Sequence, residues 1–227
     1  QKICICYEDG AVIVGSVHGD RLWGSELKME LMFVAWSPDG RQIVFVTTDS
    51  DVNIFDNKGN KISQMRLPLL EKMPDARPDI IAIHWYDGME GHVSPDAPTL
   101  AIAFSAGHVQ LSRHANDENP VLLDTEMALT QARWNANGSV LAVSGSQVTQ
   151  LPSGEEKEVS MVQFYTPHGV HIRTLKIPGR GITALTWEGS GLRIALAVES
   201  YIYFANLRPD YRWGHFNNTL VFSFNRP

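Results

Sequence analysis

The stretch MFVAWSPDGRQIVFVTTDSDVNIFDNKGNKISQMR, Met32–Arg66, decides the fold. It holds four short apolar runs, Met32–Trp36, Gln42–Thr47, Asp51–Phe55 and Lys61–Arg66, separated by SPDG, TDS and DNKGN. Each separator is turn chemistry: Pro38 presets its own φ, and Gly40 and Gly59 reach positive φ with little strain. Runs of this length between tight turns predict four antiparallel strands in one small sheet.

The unit recurs. Its tryptophan, Trp36, reappears as Trp85, Trp134 and Trp187, at intervals of 49, 49 and 53 residues. Trp36, Trp134 and Trp187 each precede a glycine by four positions. A second marker runs in phase: Phe55-Gly59-Ile62 and Tyr165-Gly169-Ile172 share their offsets, and Gly15-Gly19-Leu22 repeats them with glycine in the aromatic position. A fixed period near fifty marks one supersecondary unit used repeatedly.

The second strands, IVFV (43–46), LAIAF (100–104), VLAV (140–143) and RIALAV (193–198), are apolar without alternation. Both of their faces are therefore expected to be buried, as when each sheet lies between two like sheets. Interleaved alanines suit a taper toward an axis. These features predict an all-β, WD40-like β-propeller. Units start near Lys2, Met32, Ile80, Leu129 and Ile182, and Thr219–Phe224 reads as the start of another. Residues 1–227 are thus expected to be part of a single propeller: a partial ring of four to five blades, with seven expected for the closed ring. Gln1 opens directly into a strand pattern and the last residues stop inside another, so the sequence reads as a stretch of a longer chain.

Composition narrows the function. With 44% hydrophobic and 19% charged residues the chain is an ordinary folded protein. A net charge of −6 argues against nucleic acid, which requires a basic track, and against adhesion to an anionic membrane. No apolar run approaches the roughly 18 residues that cross a bilayer, so no direct membrane insertion is expected. Cys4 and Cys6 lie on one strand face, a spacing that disfavours a strain-free disulfide and fits buried free thiols in the cytosol. The sequons Asn137-Gly138-Ser139 and Asn217-Asn218-Thr219 carry little weight in that setting.

Catalytic chemistry is hard to assemble. The eight histidines are scattered without metal-ligand spacing, although His84 and His92 flank an insertion and His168 and His171 share a hairpin. Gly189-Ser190-Gly191 lacks the nucleophile-elbow pattern. Pro178-Gly179-Arg180-Gly181 lacks the lysine and following helix of a phosphate loop. The inner strands start at the apolar residues Met32, Ile80, Leu129 and Ile182, none able to shuttle a proton. No catalytic, cofactor-binding or metal residues are expected, and the chain is not expected to be an enzyme.

Interaction surfaces are better supported. Strand parity puts the insertions 86–98 and 113–118 on one blade face, and 69–79 and 145–158 on the other. The segment 145–158 is polar, carries Glu155, Glu156 and Glu158, and reads as a flexible loop or a partner contact. In Arg208–His215, Tyr211, Arg212 and Trp213 are residue types enriched at interface hot spots. Outer-strand packing explains them equally well.

Longer segments carry more. KICICYEDGAVIVGSV (2–17), NPVLLDT (119–125), VQFYTPHGVHIRTLK (162–176) and WEGSGLRIALAVESYIYFANLRPDYRWG (187–214) together resemble the WD-repeat subunits of intraflagellar transport complex A. The resemblance keeps its order over nearly the whole chain. It implies two N-terminal propellers before a helical solenoid, with this chain inside the first. It further implies a non-catalytic scaffold in retrograde ciliary transport and in admission of membrane cargo to the cilium. Implied partners are other complex A subunits, complex B in assembled trains, and tubby-like cargo adaptors. The implied location is cytoplasmic and ciliary or flagellar, at the axoneme and basal body. No Trp-Asp dipeptide ends a third strand, and the buried Asp-His-Ser/Thr-Trp network of regular WD blades is not evident. Two alternatives remain: a vesicle-coat propeller binding sorting peptides, and a propeller hydrolase, which the apolar strand starts disfavour.

Overall fold

The computed structural model describes residues 2–71, 78–86, 98–114, 116–150, 154–207 and 210–225, without the side chains of 210–213 and 224–225. The described strands form antiparallel sheets in chain order. The first sheet is β1 (Lys2–Cys6), β2 (Ala11–Ser16) and β3 (Arg21–Glu26). The second is β4 (Leu31–Trp36), β5 (Gln42–Thr47), β6 (Val52–Asp56) and β7 (Lys61–Gln64), followed by the short helix α1 (Pro68–Glu71). The third comprises β8 (Ile80–Trp85), β9 (Leu100–Phe104), β10 (His108–Ser112) and β11 (Val121–Asp124). The fourth is β12 (Ala128–Trp134), β13 (Leu141–Gln150), β14 (Glu156–Tyr165) and β15 (His171–Ile177). The fifth is β16 (Ile182–Trp187), β17 (Arg193–Val198) and β18 (Tyr201–Asn206), before the hairpin β19 (Asp210–Phe216) and β20 (Thr219–Asn225). The chain groups into two compact units, one reaching Leu129 and one from Thr130 onward.

Both sequence markers correspond to turns of fixed geometry. After the tryptophans, Gly40, Gly138 and Gly191 take φ of 65°, 67° and 70°. The residue after each tryptophan accepts from its glycine N–H and donates across the turn, as Ser37 does to Gln42. At the second marker, Gly19, Gly59 and Gly169 take φ of 95°, 92° and 84°. A bulge sits at the first residue of that marker each time: Gly15, Phe55 and Tyr165. Gly59 is constrained twice, because a Cβ there would meet the Trp23 ring at 3.1 Å.

In the first unit, successive residues of β5 serve different cores. Ile43 and Phe45 join Val12, Val14, Leu31 and Phe55 against the first sheet. Val44 and Val46 join Val52, Ile54, Ile80, Leu100, Ile102 and Phe104 against the third. This two-sided burial is what an unbroken apolar run predicts. Each fully buried aliphatic side chain contributes about 1.5–3 kcal/mol. In the second unit, Val140, Ala142, Val162 and Phe164 pack on Ile182, Leu185, Ile194 and Leu196.

Four expectations need correction. Of the segment 145–158, residues 145–150 and 156–158 are not a loop, because β13 and β14 continue as a paired ribbon from Gly145↔Met161 to Gln150↔Glu156; residues 151–153 lie outside the described residues. The β-branched Val148, Thr149 and Val159 give this polar stretch enough strand character to extend the hairpin. Thr219–Phe224 is not the first strand of a further unit: it pairs with β19, and the two form a sheet of their own that starts at Asp210. Asn217, at φ 50°, closes that two-residue turn, so the local hairpin forms readily. The inner strand of the second sheet starts at buried Leu31, while Met32 is exposed. A bulge shifts the register between Leu31 and Phe33, and the same bulge recurs at Ile80/Ala82 and Ile182/Ala184. Finally, β17 is not buried on both faces: Ile194, Leu196 and Val198 are buried, whereas Ala195 and Ala197 are half-buried. Their face has no apolar cluster among the described residues.

Candidate interaction surface

The repeat tryptophans occupy like positions. Trp36, Trp85 and Trp187 are partly buried, each at the border of the core shared with the preceding sheet, and Trp134 is buried. Trp187 Nε1 donates to the Arg133 carbonyl at 3.2 Å, and Trp85 Nε1 donates to Thr99 Oγ1 at 3.2 Å. These indoles sit at the borders of the inter-sheet cores.

A polar feature escaped the sequence reading. Three residues after the one that closes the turn behind each tryptophan (Gln42, Thr99, Val140), the second strand reaches Phe45, Ile102 and Val143, which are paired with Asn53, Gln110 and Gln163. A carboxamide therefore holds the same register site in three consecutive sheets. Gln110 is fully buried and donates to Ser112 Oγ at 3.1 Å. Gln163 Oε1 accepts from the Tyr165 hydroxyl. Asn53 is 4% exposed, and its Nδ2 reaches Met29 Sδ at 3.9 Å. Aligning third strands through their second-strand partners would have revealed the column; alignment on tryptophans shifts it, because loop lengths differ.

The turns after the second strands are tied to the connections between sheets. In the first unit Leu27 N donates to the Gly10 carbonyl, Leu31 N to Glu8, Thr48 N to Glu30 and Ser105 N to Asp79. Buried Ser50, at φ 61°, donates from Oγ to the Pro78 carbonyl and accepts from Ile80 N. Thr125 gives both its N–H and its hydroxyl to the Gly107 carbonyl. Lys28 and Glu126 also hold positive φ within these connections. This rim is fixed by backbone hydrogen bonds and by residues in a conformation that costs about 1–3 kcal/mol each.

The remaining candidate chemistry resolves into structure. Cys4 and Cys6 are free thiols, half-buried against the first core, and burial pushes the Cys4 thiol up to about 12. A thiol so protonated is a poor nucleophile. At Pro178–Gly181 the Arg180 N–H donates to Glu199 Oε1 at 2.9 Å, so a carboxylate already occupies the amide an anion would use. His171 meets Thr174 Oγ1 at 2.9 Å and the Tyr165 ring. Among the described residues no three potential ligands converge on a metal position. Asn137 Oδ1 accepts from Ser139 N and Oγ, so the sequon amide is engaged within its own turn. No helix among the described residues is long and apolar enough to cross a membrane.

Two surfaces stand out from the blades. One is the β13–β14 ribbon beyond Gly145, where Val148 is 61% exposed and Glu155, Glu156 and Glu158 are exposed. The other is the outer strand β18 and the hairpin beyond it, with Ile202, Phe204, Phe216 and Val221 exposed. Tyr211, Arg212 and Trp213 lie on β19 facing Phe224, Ser223 and Phe222, and their side chains fall outside the described residues. His92, and most of insertions 69–79 and 86–98, fall outside them too.

Repeated sheets that bury indoles and offer rims define a β-propeller of the interaction-scaffold class, with no catalytic centre among the described residues. A β-propeller family model described as WDR35/TULP4 N-terminal matches residues 1–208, and the chain belongs to this family of non-enzymatic scaffolds. WD repeat-containing protein 35 of Rattus norvegicus is 54% identical over the whole chain, and that of Homo sapiens 52%. Tubby-related protein 4 of Mus musculus is 28% identical over 88% of the chain. The chain spans 19% of the length of the first two relatives and 14% of the third. Among solved structures, Chaetomium thermophilum Raptor superposes on 92% of the chain, and on 18% of its own, with a TM-score of 0.68 and 14% identity, which supports the fold alone.

Proposed function

We propose that residues 1–227 form part of a single seven-bladed N-terminal propeller in a scaffold subunit of intraflagellar transport complex A. The carrying observation is 52–54% identity, without loss of coverage, to WD repeat-containing protein 35. The subunit works in retrograde ciliary transport and in admission of membrane cargo, between the basal body and the axoneme. Its partners are other complex A subunits, complex B within trains, and tubby-like adaptors. The β13–β14 ribbon and the apolar outer strands are the surfaces suited to these contacts.

The test is purification of the tagged full-length protein from ciliated cells, combined with its removal. Co-purification of the complex A set, and accumulation of transport complexes at ciliary tips on removal, is the expected result. Recovery of vesicle-coat subunits without complex A, or a hydrolytic activity of the purified protein, would overturn the reading.

A further inference from the structure

Among the described residues the fifth sheet has three strands, in the order β16-β17-β18, whereas the second, third and fourth sheets each hold four. The next strand, β19, does not take the fourth place, because it pairs with β20 in a sheet of its own. That leaves β18 as the outer edge. Leu207 N donates to the Leu192 carbonyl, and the β17–β18 register runs on from Arg193↔Asn206 to Val198↔Tyr201. Bonding alternates along an antiparallel ladder, so the main-chain N–H and C=O of Ile202 and Phe204 point away from β17.

The composition of β18 is that of an inner strand. Fourth strands elsewhere carry charge: Arg21 and Glu26 on β3, Lys61 on β7, Asp124 on β11, and Arg173 and Lys176 on β15. YIYFAN (201–206) has neither a charge nor a proline, two usual guards of a bare edge. The adjoining core is incomplete on the same side. Between the second and third sheets, the fourth strand of the third supplies Leu122 to the core. Between the fourth and fifth, Ile172 and Leu175 of β15 are only partly buried, as are Tyr203 and Ala205 of β18.

We propose that a partner polypeptide docks here by adding an extended segment beside β18 as the fourth strand of the fifth sheet, independently of the transport reading above. A row of unpaired N–H and C=O groups selects an extended main chain. The period of two then selects apolar side chains at alternate positions, on the side of Ile172 and Leu175. Radial stacking covers the faces of a blade and leaves its outer edge at the rim, so this edge stays within a partner's reach in a closed ring.

The test uses the full-length protein, immobilised, and a displayed library of random peptides about as long as the six residues of β18. Peptides with apolar residues at alternate positions should enrich, and adding one should slow hydrogen exchange at the Ile202 and Phe204 amides. N-methylation of alternate peptide amides should weaken binding about tenfold in one parity and little in the other, since only one parity bonds β18. Phe204→Pro removes an outward N–H and should weaken binding similarly, with thermal unfolding verifying the fold. Absence of enrichment, equal loss in both parities, or undiminished binding to folded Phe204→Pro protein would overturn the proposal. Slow exchange at Ile202 and Phe204 without peptide would overturn it too, because the protein's own chain would then occupy the edge.

Discussion

Single residues decide how tightly the blades close, and their effects can be separated. Gly59 and Gly19 occupy the same turn with nearly the same φ, but only Gly59 faces the Trp23 ring, whereas a Cβ on Gly19 would meet open space. Gly19→Ala should cost about 1 kcal/mol from backbone strain, and Gly59→Ala about 1 kcal/mol more. Denaturant unfolding in a Trp23→Leu background should remove that difference. Ser50→Ala should cost about 1–3 kcal/mol, because it strands the buried Pro78 carbonyl and Ile80 N–H in the unit that Ser50 joins. The pH response has two signs. Ser37 and the Arg41 amide hold the Asp39 carboxyl below its ordinary value, so its contribution is present above the unfolded pKa and is lost as pH falls through the folded one. Asp39→Asn should therefore flatten part of the acid unfolding limb below about pH 4. Burial raises the Cys4 thiol from 9.0 to about 12, so stability is unaffected below 9.0 and declines as pH rises toward 12. Cys4→Ala should flatten that alkaline limb, read by unfolding midpoints between those values.

At the scale of elements, the sheets were largely legible because turn residues and apolar runs act locally. Pro38, Gly40 and Gly59 bounded the strands of the second sheet to within two residues of their observed ends. The ribbon of β13 and β14 was not legible: its polar residues satisfy backbone hydrogen bonds with each other and need no apolar core to do so. Replacing 147–159 with a two-residue turn, which keeps the Ser146↔Ser160 pair, should therefore leave the unfolding midpoint nearly unchanged while removing any partner that docks there, as read by calorimetry and co-purification. Asn135 joins the fourth sheet to the turn of the fifth: buried, it donates to the Gly191 carbonyl at 3.2 Å and accepts from Val140 N. Its role could not be read from ARWNANG, because Gly191 lies 56 positions away. Asn135→Ala should destabilise by about 2 kcal/mol, and Asn135→Asp should restore less than half, since the carboxylate cannot donate.

At the scale of the whole molecule, stacked repeats need neighbours on both sides. Ile3 and Ile5 on β1, and Ile202 and Phe204 on β18, are exposed on edge strands. Residues 1–227 in isolation should therefore self-associate, and Ile5→Lys with Phe204→Lys should shift the population toward monomer in light scattering. The sequence by itself determined the four-stranded unit and its period, since these follow from side-chain periodicity and turn stereochemistry. It also determined the two-sided burial of β5, β9 and the start of β13, though not the one-sided burial of β17. Its longer motifs also pointed to the family. Tertiary structure alone decided the bulges after Leu31 and Ile80 and the carboxamide position common to three sheets. Those depend on which residues face one another across strands. Register is a relation between distant segments, and no local pattern encodes it.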